Sequence, residues 1–251
     1  MLRFRTSRTR RPPRLPENLR AYVVGDIHGR ADLLLRLFAA IDADLADRGS
    51  MPTLQIFLGD YIDRGPSSRH VIDMLLARGR GHRLVTLKGN HETYPAQFLA
   101  DPDTLTGWRP LGGLETLAAY GLAPSPNPDT AERRELAAQF ATVFPESHAQ
   151  FLADLPTSFN CGDYFFVHAG VRPGVPLDKQ HEDDLLWIRD DFLLHERDFG
   201  KIIVHGHTPV RSPDLRDNRI NIDTGAFATG KLTCLVIEGE GVRVLSSDAA
   251  T

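Results

Sequence analysis

Cysteine is scarce: Cys161 and Cys234 are the two in 251 residues, far apart and in no CxxC pair. That excludes a disulfide-dense scaffold and a thiolate metal site, and leaves two small buried apolar side chains in a reducing cytoplasm as the expectation. No apolar run reaches the ~18 residues that a membrane-spanning helix needs, so no span is expected. No apolar h-region follows the charged start, so no secretory pattern is read there. Acidic residues are missing before Glu17, while Arg3, Arg5, Arg8, Arg10, Arg11 and Arg14 precede it. Pro12, Pro13 and Pro16 break any helix in that stretch. Residues 1–18 therefore read as a solvated, disordered tail, and a role as an anchor for acidic lipid or nucleic acid would need more than charge. The net charge of −4 gives no general pull toward nucleic acid, and no nucleic-acid partner is expected.

What is present is ordinary globular composition, with 41% hydrophobic and 25% charged residues and no internal repeat. The length supports one sizeable core, assigned to residues 19–251. Apolar periodicity predicts strands over 21–24, 53–58 and 83–87, with helices over 31–46 and 67–78 between them. Ser67 or Ser68 is expected near the cap of the second helix. A β-α-β-α-β start argues for an α/β layered fold with parallel strands. Helices are expected over 114–120, 130–143 and 146–155, within a helical insertion at about 105–155 packed against the sheet. The last third reads as strands over 157–160, 164–167, 201–204, 219–222, 232–237 and 242–245.

Polar clusters follow five of these strands. They are Gly25-Asp26-Ile27-His28-Gly29, Gly59-Asp60-Tyr61-Ile62-Asp63-Arg64-Gly65, Gly89-Asn90-His91-Glu92, His168-Ala169-Gly170 and His205-Gly206-His207-Thr208. The C-terminal ends of strands are where α/β sheets place their sites. Carboxylate, imidazole and amide donors without thiolate suit Mn²⁺, Fe or Zn²⁺. Two such ions sharing a carboxylate can activate a water and clamp phosphoryl oxygens. One motif alone would be a turn with a satisfied histidine, whereas five in order, each after a strand, point to a binuclear centre.

The set resembles the calcineurin-like metallophosphoesterases, and within them the phosphoprotein phosphatase branch with its bacterial and phage Ser/Thr phosphatases, over about residues 20–237. The resemblance implies a four-layer α/β/β/α sandwich with a binuclear site at the strand ends. It implies Asp26 and His28 on one ion, Asp60 bridging, and Asn90, His168 and His207 on the other. His91 would be the general acid, Asp63 its support, and Arg64 a phosphate-binding residue. Leu185-Leu186-Trp187-Ile188-Arg189 is similar to the LLWxR segment of bacterial members, which implies Arg189 as the second phosphate-binding arginine. His205 is expected to pack on its strand or to back the ligands. Pro209 stands where the wider superfamily often has a further histidine, so water would complete the first ion's shell.

The implied activity is metal-dependent phosphomonoester hydrolysis, a serine/threonine protein phosphatase using water activated by two metals, Mn²⁺ first, in a cytoplasmic monomer. The rival enzyme class is a dinucleoside tetraphosphate or other nucleotide or polyphosphate hydrolase. Symmetrical dinucleoside tetraphosphate hydrolases usually carry Gln at the position of His28 and lack the Asp63-Arg64 pair, and both departures favour the protein phosphatase branch. A metal-free binding scaffold is the reading from a different class, and the filled ligand positions argue against it. Trp108–Gly113 and the helical insertion are expected to shape the approach to the site, with Trp108 either packed or a substrate platform.

Overall fold

The fold is that of a computed structural model, which describes residues 11–49 and 51–248. The described strands are β1 (Arg20–Val24), β2 (Thr53–Phe57), β3 (Leu84–Thr86), β4 (Ser158–Cys161), β5 (Tyr164–Val167), β6 (Ile202–His205), β7 (Asp214–Leu215), β8 (Arg219–Asn221), β9 (Thr233–Glu238) and β10 (Gly241–Ser246). They form two five-stranded sheets, ordered β10-β9-β1-β2-β3 and β4-β5-β6-β8-β7. In the first, β1, β2 and β3 run parallel, with β9 and β10 added antiparallel. In the second, β5, β6 and β8 run parallel, with β4 and β7 antiparallel at the two edges.

The crossovers are helical, as parallel pairing demands. α1 (Ala31–Asp47) and α2 (Ser68–Arg78) link the strands of the first sheet. Between β3 and β4 lie α3 (Tyr94–Ala100), α4 (Leu105–Trp108), α5 (Gly113–Ala119), α6 (Thr130–Val143) and α7 (Glu146–Ala153). α8 (Glu182–Trp187) and α9 (Asp190–Leu193) join β5 to β6, and α10 (Ala226–Thr229) follows β8. The start of α6 is set by Asp129, whose carboxylate accepts from the Glu132 N–H at 2.9 Å. Its end is set by Pro145, which holds the preceding Phe144 in extended backbone.

Alternation along the strands builds the four layers. Tyr22 and Val24 face the helical core with Leu34, Leu37, Phe98, Trp108 and Phe140. Ala21 and Val23 face the other way, into the inter-sheet core with Phe166, Val204, Ile220 and Leu235. On the second sheet Tyr164 and Phe166 join that inter-sheet core, while Phe165 and Val167 pack outward on Leu185, Ile188 and Phe192 of the α8–α9 region. The architecture is therefore the expected α/β/β/α sandwich, with its centre between the two sheets.

Two local expectations need correction, in the tail and at one cysteine. The first ten residues of the expected tail lie outside the described residues; over residues 11–18 Arg11, Arg14, Pro16, Glu17 and Asn18 are exposed as expected, but Leu15 is not. Leu15 is buried in the inter-sheet core, and the Arg14 N–H donates to the Asp163 carboxylate at 3.1 Å. The apolar Leu15 overrides the arginines around it, because burying it excludes water from the gap between sheets. Ser67 stands at the N-cap of α2, as expected, though without a side-chain capping hydrogen bond. The Ser68 hydroxyl turns inward and accepts from the Asp63 N–H at 3.0 Å. Of the two cysteines, Cys234 is buried and Cys161 only half-buried, both as free thiols. Among the described residues no helix is long and apolar enough to cross a membrane.

Candidate metal centre

Six strands run parallel across the two sheets, and the chain after each one turns toward the inter-sheet gap. Motifs were expected after β1, β2, β3, β5 and β6. The turns are tight. His28, Asp60, Asp63, Arg64 and His207 all hold left-handed backbone, with φ of 46°, 53°, 71°, 66° and 64°. Such conformations cost of order 1–3 kcal/mol each in non-glycine residues and persist where surrounding structure holds them. Two glycines admit the carboxylates by close approach: a Cβ on Gly206 would collide with Asp26 Oδ1, and one on Gly89 with Asp60 Oδ1.

Asp60 lies in the middle, 2% exposed. Its Oδ2 is 3.4 Å from His28 Nε2 and 3.7 Å from His91 Nε2. Its Oδ1 is 3.4 Å from His168 Nε2. The two carboxylate oxygens thus face different sets of imidazoles, grouped as His28, Asp60 and His91 on one side and Asp60, His168 and His207 on the other. Asn90 Oδ1 is 3.0 Å from His168 Nε2, and His207 Nδ1 is 3.1 Å from the same nitrogen. Backbone carbonyls orient the rings: Ile62 O sits 3.0 Å from His28 Nδ1, and Leu58 O 3.0 Å from His168 Nδ1. Their Nε2 atoms are thereby aimed at the centre. Asp26 is anchored through Oδ2 by the His207 N–H at 3.0 Å.

The electrostatics favour a bound cation. Burial raises the Asp26 carboxyl well above its ordinary range, with Asp223 and Asp60 adding like charge. Burial would also raise Asp60, but His168, His91 and His28 together hold it below the ordinary range. Burial pushes His28, His168 and His207 down to about 3, so each presents a neutral nitrogen lone pair. Asp26 Oδ1 and His207 Nε2 are buried with no hydrogen-bond partner. Buried orphans of this kind are costly unless something coordinates them. Several neutral imidazoles, an amide oxygen and clustered carboxylates without thiolate form a donor set that fits divalent metal ions.

Asp63 is fully buried and receives three side-chain hydrogen bonds. His91 Nδ1 is 2.6 Å from Oδ2, Trp108 Nε1 donates to Oδ2 at 2.8 Å, and Thr116 Oγ1 donates to Oδ1 at 2.6 Å. Trp108 is therefore neither plain packing nor a substrate platform: it is buried, stacked on Tyr94, and holds Asp63. Burial pulls the His91 imidazole down, but Asp60 and Asp63 outweigh it and raise it above the ordinary histidine value. The Arg64 guanidinium lies over the Phe227 ring at 4.7 Å, close enough for its charge to act on Asp26, His28 and His91. Arg189 is exposed on the other flank, with Nη1 3.4 Å from Thr208 Oγ1 and its charge acting on His207. His205 is buried on β6 against Phe192, at 4.9 Å between ring centroids, and points away from the donor cluster.

The profile of calcineurin-like phosphoesterases matches residues 19–233. The chain belongs to the calcineurin-like phosphoesterases. This phosphoesterase is 27% identical over 235 residues to the bis(5'-nucleosyl)-tetraphosphatase PrpE (asymmetrical) of Anoxybacillus flavithermus, covering 85% of this chain and 88% of that protein. It is 28% identical to the same-named protein of Bacillus velezensis, covering 84% of this chain and 86% of that one. A solved structure proposed to be a diadenosine tetraphosphatase superposes with a TM-score of 0.62 at 21% identity, covering 92% of this chain and 98% of that one. A serine/threonine phosphatase of Saccharomyces cerevisiae shares the fold at a TM-score of 0.52 and 15% identity, covering 94% of this chain and 84% of that one. Family and cluster together point to divalent-metal binding.

Two acidic residues of the phosphoesterase were not assigned from sequence. Asp223 follows β8, the sixth parallel strand, and its carboxyl lies against that of Asp26. Burial, with Asp60 nearby, pushes it up to about 6. The signal was there: a strand ending in Asp223-Thr224-Gly225, the same strand–acid–glycine order as the other motifs. Glu92 closes the third motif, 3% exposed, and accepts the N–H groups of Asp60, Tyr61 and Gly89, each at 2.8 Å. It ties the second and third motifs together. Glu92→Gln turns an amide NH₂ toward an N–H donor and will cost about 2 kcal/mol. Thermal denaturation reads this as a Tm lower by ~4–8 °C; an unchanged Tm would show that the three bonds do not hold the motifs.

Proposed function

We propose that this phosphoesterase hydrolyses a phosphoanhydride bond of a dinucleoside polyphosphate, cutting asymmetrically as its relatives' name describes. The observation that carries this is the likeness to bis(5'-nucleosyl)-tetraphosphatases over 84–85% of the chain. The site assignment proposed is Asp26, His28 and Asp60 for one ion, and Asp60, Asn90, His168 and His207 for the other. Divalent ions, Mn²⁺ first with Fe and Zn²⁺ also matching the donors, supply Lewis-acid polarisation of phosphoryl oxygens and lower the pKa of a water. Arg64 and Arg189, on opposite flanks, bind the anionic chain and offset charge on the equatorial oxygens. The water oxygen bonds to phosphorus in line, its proton passes to solvent, the bridging P–O bond breaks, and the leaving nucleotide keeps that bond's electron pair.

A second reading is favoured by one specific observation. The Asp63–His91 pair, at 2.6 Å, holds an imidazole whose Nε2 points into the centre. A general acid matters most for an alkoxide leaving group, so a phosphoserine or phosphothreonine protein is the alternative substrate. The deciding experiment uses metal-depleted protein reloaded with Mn²⁺, Fe²⁺, Zn²⁺ or Mg²⁺. Diadenosine tetraphosphate, p-nitrophenyl phosphate and a phosphoserine peptide are compared by kcat/KM. The dinucleotide is expected to exceed the peptide by about tenfold or more. The reverse order establishes the protein phosphatase reading, and no turnover with any metal turns the case toward a binding scaffold.

A further inference from the structure

Six large apolar side chains are exposed among the described residues, and two of them, Phe227 and Trp187, border the centre. Phe227 is accounted for by its neighbours. The Arg64 guanidinium covers its ring, and the His28 ring meets it at 5.6 Å and 85°. Trp187 is not accounted for. It is the last residue of α8, where Leu185 and Leu186 before it and Ile188 after it are buried, yet its indole is 41% exposed. Among the described residues its one ring contact is with His207, at 6.2 Å between centroids and 84°. Its indole N–H has no hydrogen-bond partner among the described residues, and no guanidinium stacks on it. More than a third of this large side chain is open to water beside a polar centre, and it belongs to none of the three core clusters.

The chemistry around it identifies an occupant. Two residues on, Arg189 reaches Thr208 and places a positive charge beside His207. An aromatic face and an anion-binding group therefore stand side by side at the mouth of the centre. That pairing complements a nucleobase joined to phosphate by a single sugar, and indole is among the best surfaces for base stacking. We propose that Trp187 is the base-stacking platform of the substrate site, taking the nucleobase nearest the reacting phosphate while Arg189 holds that phosphate. This rests on the nucleotide reading above, and it makes Trp187 a specificity-determining residue.

Two measurements test it. The first compares wild type with Trp187→Ala, Trp187→Leu and Trp187→Phe on diadenosine tetraphosphate and on inorganic tetrapolyphosphate, which has no base. Trp187→Ala and Trp187→Leu are expected to raise KM for the dinucleotide about tenfold more than for tetrapolyphosphate, ~1.4 kcal/mol. Trp187→Phe is expected to recover most of that difference. Equal shifts on both substrates, or a Leu variant as good as the Phe variant, overturn the platform. The second uses fluorescence. Of the two tryptophans, Trp108 is buried and Trp187 exposed, so ATP should quench the wild type and leave Trp187→Phe unquenched. Quenching that survives in the Phe variant also overturns it. If wild type prefers the phosphoserine peptide, the nucleotide reading fails on wild type alone. A peptide-specific KM loss in Trp187→Ala would then reassign the ring to a protein substrate.

Discussion

Asp60→Asn will lower kcat by about 10³-fold or more while leaving the fold in place, a loss of some 4 kcal/mol of transition-state stabilisation. The size follows from where its oxygens point. Oδ2 faces His28 and His91, and Oδ1 faces His168, so one carboxylate serves both halves of the centre. Asparagine offers one oxygen, and its amide nitrogen must face one of the two halves as a donor. One half of the centre would therefore hold a cation less well. The backbone tolerates the change, because Asp60 sits at φ 53° and asparagine enters left-handed backbone readily. Its N–H bond to Glu92 does not involve the side chain at all. The measurement pairs steady-state kinetics with metal content by mass spectrometry on the same sample. A drop in both is expected. Near-normal turnover with the full complement of metal would rule out the bridging role.

The legibility of this centre follows from how local its parts are. Asp26, His28, Asp60, Asn90, His91, His168 and His207 each stand within a few residues of a strand end, so alternation and the glycines around them marked them in sequence. The structure brings all seven together. Strand and helix spans were readable where the pattern was long: 130–143 emerged as α6 at both ends because Asp129 and Pro145 punctuate it. α3, α4, α8 and α9 are only 7, 4, 6 and 4 residues long. At that length apolar periodicity has no room to declare itself, and Pro95 and Gly107 obscure it further. The supports of Asp63 were illegible for a different reason. Thr116 and Ser68 meet it across 53 and 5 residues of sequence, and Trp108 across 45. Thr116 and Trp108 carry no local pattern, because their partnership with Asp63 exists only after α4 and α5 pack against the second motif, and the nearby Ser68 read as a helix cap.

Substrate class was less legible than the centre itself. The sequence argument set the protein phosphatase branch against symmetrical dinucleoside tetraphosphate hydrolases, on His28 and the Asp63-Arg64 pair. The relatives found across the chain's length are named as asymmetrical enzymes, so excluding the symmetrical ones did not exclude dinucleotides. The proposed metal ligands do not separate these cases, since such donors suit ester and anhydride alike. Groups that touch the leaving side do.

His91→Asn will separate them, and its effect should depend strongly on the substrate. A phosphoserine ester must expel an alkoxide, and loss of a positioned acid is expected to slow that step by about 10²–10³-fold. A dinucleoside polyphosphate expels a polyphosphate oxygen that is stable as an anion, so the same variant should slow it by less than about tenfold. The geometry makes the test interpretable. Asp63 takes His91 Nδ1 at 2.6 Å, which leaves Nε2 3.7 Å from Asp60 Oδ2 and free to face the leaving group. The same position also groups His91 with His28 and Asp60 as a donor set. If His91 acts as a ligand instead, both substrates will slow alike and the metal content will fall with them. Unchanged rates on both would remove His91 from the chemistry altogether. A large loss confined to the phosphopeptide, with metal retained, would make the Asp63–His91 pair a working acid and would show that the centre can serve esters as well as anhydrides.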